Sequence, residues 1–206
     1  MKSQVQNLYR RTGITKESCF HAARRLDAHN SLSLWSLTTL AFSLIVISLI
    51  TQLYADNHFI IEYERFLDFA ITTLSVFAMV ISVVVQKSDF SLRSDNFRRQ
   101  AMEINELRIS FRHLKDKDCA TSEETEEQQA LYETNSKLYS GILDRNLVHD
   151  QIDYYVSATT GIEHKYHFTR LVVTQYLGYL LIILSSISLL AWSCWNTYLN
   201  TLPVSS

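Results

Sequence analysis

Two clusters and one stripe of side chains in this sequence have types and spacings that chemistry can use. The run Glu163, His164, Lys165, Tyr166, His167 sets two imidazoles three residues apart. On a helix they share a face and stand close enough to share a metal ion. No third ligand lies nearby in the sequence, so no metal site is expected, and His, Lys and Tyr here read as anchors of a helix at a membrane interface. His149, Asp150 and Asp153 offer a base and two acids, but no nucleophile elbow, phosphate-binding glycine loop, HExxH or GxGxxG accompanies them. They are read as groups that cap and cross-link helices. The chain is expected not to be an enzyme and to need no cofactor.

The third pattern is stronger. Thr72, Ser75, Met79, Ser82 and Gln86 follow one another at intervals of 3, 4, 3 and 4, one mildly polar line along an otherwise apolar helix. In lipid such a line serves either close helix packing or the lining of an aqueous pore, and both readings stay open. A weaker row, Ser36, Thr39 and Ser43, lies in an earlier apolar run, and Thr174 and Gly178 form a small-xxx-small pair in a later one. No apolar run carries a charge at mid-depth, which argues against a proton relay, a voltage sensor or an ion-coupled transport site.

These residues are positioned by three uncharged stretches that whole-chain averages conceal. A mean hydropathy of -0.01 and a net charge of -2 would suit a soluble protein, yet no Asp, Glu, Lys or Arg occurs from Ala28 to Ala55, from Phe69 to Gln86, or after Arg170. About 20 apolar residues cross roughly 30 Å of hydrocarbon as a helix. Spans are therefore predicted at about 35–54, 67–86 and 171–192. A cleaved leader is not expected, because the first apolar run starts after some thirty residues and is too long for one. Eighteen of the 19 Lys and Arg residues fall on one side of a three-pass topology, six before the first run and twelve from Lys87 to Arg170, with Arg65 the exception. That side is the cytoplasmic one by the positive-inside rule.

The chain has four glycines and one proline, and neither residue occurs between Gly13 and Gly141. Without that punctuation an all-helical chain is the economical reading. The expected fold is an all-α integral membrane protein with three transmembrane helices, two N-terminal and one C-terminal, and a cytoplasmic helical bundle between the second and third. Residues 1–30 are read as an amphipathic N-terminal helix, 31–86 as a transmembrane hairpin, 87–168 as the cytoplasmic helical domain, 169–195 as the third span, and 196–206 as a short tail on the far side. Within these, Thr15 is a candidate N-cap of a lead-in helix that runs on into the first span, with Arg24 and Arg25 near lipid headgroups. Residues 56–65 read as an interfacial turn with Tyr54, Phe59 and Tyr63 at headgroup level. Phe97, Ala101, Ile104, Leu107, Phe111 and Leu114 mark one amphipathic helix, and Leu131, Leu138 and Ile142 another. The acidic run 122–129 is either a solvated loop or a helix N-terminus. Cys19, Cys119 and Cys194 show no paired spacing and read as structural thiols.

HAARRLDAHNSLSLWSLTTLAFSL leading into the first span, the close second span, and the segments FRRQAMEINELR and LYSGILDRNLVHDQIDY together resemble the SLATT family of bacterial conflict systems, the SMODS- and SLOG-associating two-transmembrane effectors. The third apolar run departs from a plain two-span pattern and suggests a subfamily with a C-terminal helix. The resemblance implies a membrane effector of anti-phage defence in the bacterial inner membrane, which oligomerises and permeabilises that membrane, causing abortive infection or dormancy. It also implies a partner from a neighbouring defence gene, a nucleotide second-messenger synthase or a reverse transcriptase. Direct nucleic-acid binding is not expected. The alternative is a membrane-anchored helical scaffold without pore activity.

Overall fold

A computed structural model describes residues 4–112, 122–144, 151–159 and 161–201, and among them the chain is helical with no strand. Helix α1 (Gln4–Leu53) runs unbroken for 50 residues, about 75 Å at 1.5 Å per residue. Nothing in it stops a helix, and Thr12, Ser36, Thr38 and Thr39 return their hydroxyl protons to carbonyls four residues back. Thr15, the candidate N-cap, therefore lies inside α1, where its hydroxyl lies 3.1 Å from Arg11 O. A helix signal at Thr15 was in competition with an equally helical sequence before it, and continuity won.

The reversal after α1 is short. Asn57 is the N-cap of α2 (His58–Ser88), in extended backbone (φ -73, ψ 133), with its side chain accepting from Phe59 N at 3.0 Å. Most of the expected interfacial turn is thus the first turns of α2. Helix α2 ends at Asp89, whose left-handed φ of 44 separates it from α3 (Phe90–Ser110) by a single residue. Helix α4 (Ser122–Asp144) includes the acidic run, so that run is the N-terminal segment of a helix and not a loop. Gly161, at φ 71, joins α5 (Gln151–Ala158) to α6 (Ile162–Leu171). One π-helical stretch, Val172–Tyr176, leads into α7 (Leu177–Thr201).

The chain divides into two compact units, residues 1–28 with 90–171, and residues 29–89 with 172–206. The N-terminal segment, read from sequence as an element of its own, belongs to the first unit. There Val5, Leu8, Cys19, Ala22, Ala23 and Leu26 of α1 bury against Phe97, Ala101, Ile104 and Leu107 of α3, Phe111 just beyond it, and Tyr139 and Ile142 of α4. The alanines let α1 and α3 approach until Ser94 Oγ donates to Ala23 O at 3.0 Å. The face expected on α3 is the buried one, and Leu114 lies outside the described residues. On α4 the expectation fails at Leu138, which is 55% exposed, while Tyr139 takes the core position. Gly13 faces the Arg108 guanidinium, which lies 3.3 Å from where a Cβ would stand and 4.0 Å over the Tyr9 ring.

The second unit is built the other way round. Its small apolar centre is Ile47, Phe59, Ile60 and Leu67, with Ile71, Leu189 and Trp192 against it. Beside it Ser33, Ser36, Leu40 and Ser43 of α1, and Ser186, Ser193 and Thr197 of α7, are all buried. Ser43 Oγ donates to Ser186 O across the two helices at 3.3 Å. Large apolar residues such as Phe42, Ile45, Phe69, Val76, Val83, Leu181 and Leu184 point outward. Hydroxyls inside and hydrocarbon outside is the pattern of helices packed in lipid, where small residues permit contact and apolar surface needs no burial. Among the described residues, three helices are long and apolar enough to cross a membrane.

Candidate functional site

The α2 stripe sits on the outside of its unit. Leu67 is buried and Ile71, Leu74, Ala78, Ile81 and Val85 are half-buried, making the face that α2 turns to its own chain. Thr72, Ser75, Met79, Ser82 and Gln86 are all exposed, roughly a quarter-turn away at 100° per residue. Packing within the chain therefore does not use them. The hydroxyls of Thr72 and Ser75 donate to Asp68 O at 2.9 Å and Ile71 O at 2.8 Å, which meets their hydrogen-bonding need inside the helix. That makes these two positions tolerable in lipid, while the exposed line as a whole is open to water or to another helix.

The small-residue rows of the other two helices differ from each other. Ser36 and Ser43 are buried in the α1–α7 seam and Thr39 is half-buried beside it. Among the described residues Gly178 has no atom within 4 Å of its would-be Cβ, so no described helix approaches it closely. The sequence reading missed Ser33, Ser186, Ser193 and Thr197; the last three recur at intervals of 7 and 4 and were legible as one face of α7.

Asp153, set apart in sequence for its acidity, is buried to 1% exposure and gripped by Arg25 of α1. Arg25 Nε donates to Oδ1 at 3.0 Å and its Nη2 to Oδ2 at 2.9 Å, a two-pronged charged contact. Arg25 is accordingly turned into the first unit and not toward headgroups; Arg24 is exposed. His149 and Asp150 lie outside the described residues. His21, near this pair, has its pKa lowered by burial first and by the Arg24 charge second.

His164 and His167 are each engaged with α5. His164 Nδ1 lies 3.0 Å from Val156 O, which only accepts, so the proton is on Nδ1. The His167 ring stacks on Tyr155, 5.1 Å away and 9° from parallel. No cluster of three His, Cys, Asp or Glu suited to a metal occurs among the described residues. Phe59 and Tyr63 turn their rings to Trp192 at 5.0 and 5.5 Å.

Burial and the Asp153 charge push the Cys19 thiol from its ordinary 9.0 up to about 12. Alkylation needs the thiolate, so Cys19 should resist iodoacetamide at pH 8 in the folded protein and react once unfolded, read by peptide mapping. A raised folded value means that the stabilisation it represents is complete below pH 9.0 and is lost as pH climbs through about 12. Equal labelling of folded and unfolded protein would contradict the burial. Cys194 is exposed, and Cys119 lies outside the described residues.

The family model for the SMODS and SLOG-associating 2TM effector domain family 5 matches residues 1–199. The chain belongs to this family. No curated protein and no solved structure matches it. In this SLATT protein the matched region takes in α7 almost whole, so the third apolar helix is part of the family domain and not an appendage to it. SLATT domains are two-transmembrane effector domains associated with defence systems.

Proposed function

We propose that this SLATT protein is a membrane effector of bacterial anti-phage defence, which oligomerises in the inner membrane and permeabilises it on activation, causing abortive infection or dormancy. The observation that carries the proposal is the exposed stripe Thr72, Ser75, Met79, Ser82, Gln86 on α2, the helix whose most apolar window has 0% of its residues buried. Three helices of one chain are too few to enclose an aqueous channel, so copies must assemble with the stripe turned inward. The first unit lies on the cytoplasmic side, where 18 of the 19 Lys and Arg residues fall, and receives the signal from a neighbouring defence protein, a nucleotide second-messenger synthase or a reverse transcriptase. No catalytic step is assigned to the chain.

The test is membrane potential in cells expressing the protein with its defence partners and challenged by phage. Depolarisation should precede loss of viability. The double substitution Ser75→Leu, Ser82→Leu should abolish it while leaving membrane insertion intact, because both residues are outside the packed face. Toxicity with the potential intact, or full activity of the double variant, would instead identify a membrane-anchored scaffold whose span residues are unimportant.

A further inference from the structure

The first unit contains a cleft of about 660 Å³ bounded by α1, α4 and α5, within the roughly 300–1,000 Å³ typical of small-molecule sites. Its α1 wall presents Gln4, Asn7, Arg11 and Thr15, which recur every three or four residues on one face, with Arg10 alongside. Tyr132 and Tyr139, two turns apart on α4, and Tyr154 of α5 line the rest. No carboxylate lines it among the described residues, which argues against a metal ion or a cationic ligand.

The charges in this cleft are uncommitted. Arg25 is held by Asp153 and Arg98 by Asp27, whereas neither Arg10 nor Arg11 makes an ion pair among the described residues. Neighbours in sequence, they leave the helix about 100° apart and so flank the cleft from two directions. A guanidinium binds phosphate through two parallel N–H groups, and two such groups match a ligand with more than one anionic oxygen. The aromatic side supplies the other half. The Tyr139 hydroxyl lies 2.7 Å from Thr15 Oγ1, which fixes that ring in place at the floor. Tyr132 is half-buried and so keeps ring surface for a planar group to stack on, with Tyr154 lining the cleft from α5. Asn7 and Gln4 add amides that donate and accept.

The geometry points to this cleft as a binding site for a phosphorylated ring compound of nucleotide size. Arg10 and Arg11 hold the phosphate, the tyrosines cover the ring, and the side-chain amides address its polar edge. The site is independent of the pore reading, because it lies wholly within the first unit and is assayed by binding alone.

The experiment is calorimetric titration of the full chain in detergent micelles, with ATP as probe and inorganic tripolyphosphate and adenosine as its two separated halves. ATP should bind at least about tenfold more tightly than either half, since adenosine lacks the charged contacts and tripolyphosphate the stacked ring, each worth about a factor of ten. Arg10→Ala with Arg11→Ala should abolish ATP binding without lowering the melting temperature, both side chains being exposed. Tyr132→Leu should weaken ATP and leave tripolyphosphate unchanged. ATP affinity untouched by the arginine pair, or no binding of ATP at millimolar concentration, overturns the site. Tripolyphosphate binding as tightly as ATP overturns the assignment of the ring.

Discussion

Asp153→Ala should destabilise the first unit by about 3–5 kcal/mol, the usual cost of removing one partner from a buried ion pair. The loss is larger than that of the contact itself. With the carboxylate gone, the Arg25 guanidinium, only 10% exposed, is left charged and out of water. Cys19 beside it cannot compensate, since burial holds it as the neutral thiol. Urea titration in mild detergent, followed by the circular dichroism of the polar helices, measures the effect. Asp153→Leu combined with Arg25→Met should recover much of it, because an apolar pair removes the stranded charge and fills the space. A single variant as stable as the parent, or a double variant no better than the single, would show that the pair is not buried as described.

Ser43→Leu should be the most damaging single change in the second unit, at about 1–3 kcal/mol for overpacking a tight contact. Ser43 is fully buried and its hydroxyl reaches Ser186 O at 3.3 Å, so α1 and α7 have no room for a branched side chain between them. Ser43→Ala should be nearly silent, because a hydrogen bond between helices in lipid averages only about 0.6 kcal/mol. Size, not the hydroxyl, is what the position demands. Cysteine cross-linking between the two helices in membranes reports the difference: efficient in the parent and in the alanine variant, lost in the leucine variant. The outcome also bears on the α2 stripe, where Ser75→Leu is harmless to packing because that side chain is exposed.

The elements themselves were legible. Runs of apolar residue, the near absence of glycine and proline, and the three-to-four spacing on α3 are local properties, and they predicted the helices and the buried face from Phe97 to Phe111. Errors arose where two local signals were equally good. Thr15 suits a cap or a helix interior, and only the continuity of α1 decides. Leu138 and Tyr139 are adjacent, and the phase of α4 against α1 and α3 puts the tyrosine in the core. By its position just before an apolar run Arg25 resembles a headgroup anchor, as cations there usually are. Its partner lies 128 residues away, beyond any local pattern.

The serine and threonine rows draw the same boundary. Ser36 and Ser43 on α1 and Ser75 and Ser82 on α2 have like chemistry and like spacing, and nothing along the chain distinguishes them. Hydropathy settles that these segments are apolar helices able to cross a bilayer, because that depends on composition over twenty residues. Which row faces another helix and which is left open depends on the rotation of each helix about its axis, a quantity set by contacts between residues far apart in sequence. The α1 row closes against α7 and holds the unit together, while the α2 row stays on the surface. The arginines divide likewise: Arg25 is spent on Asp153, and Arg10 and Arg11 open into a cleft that exists only once α1, α4 and α5 have met.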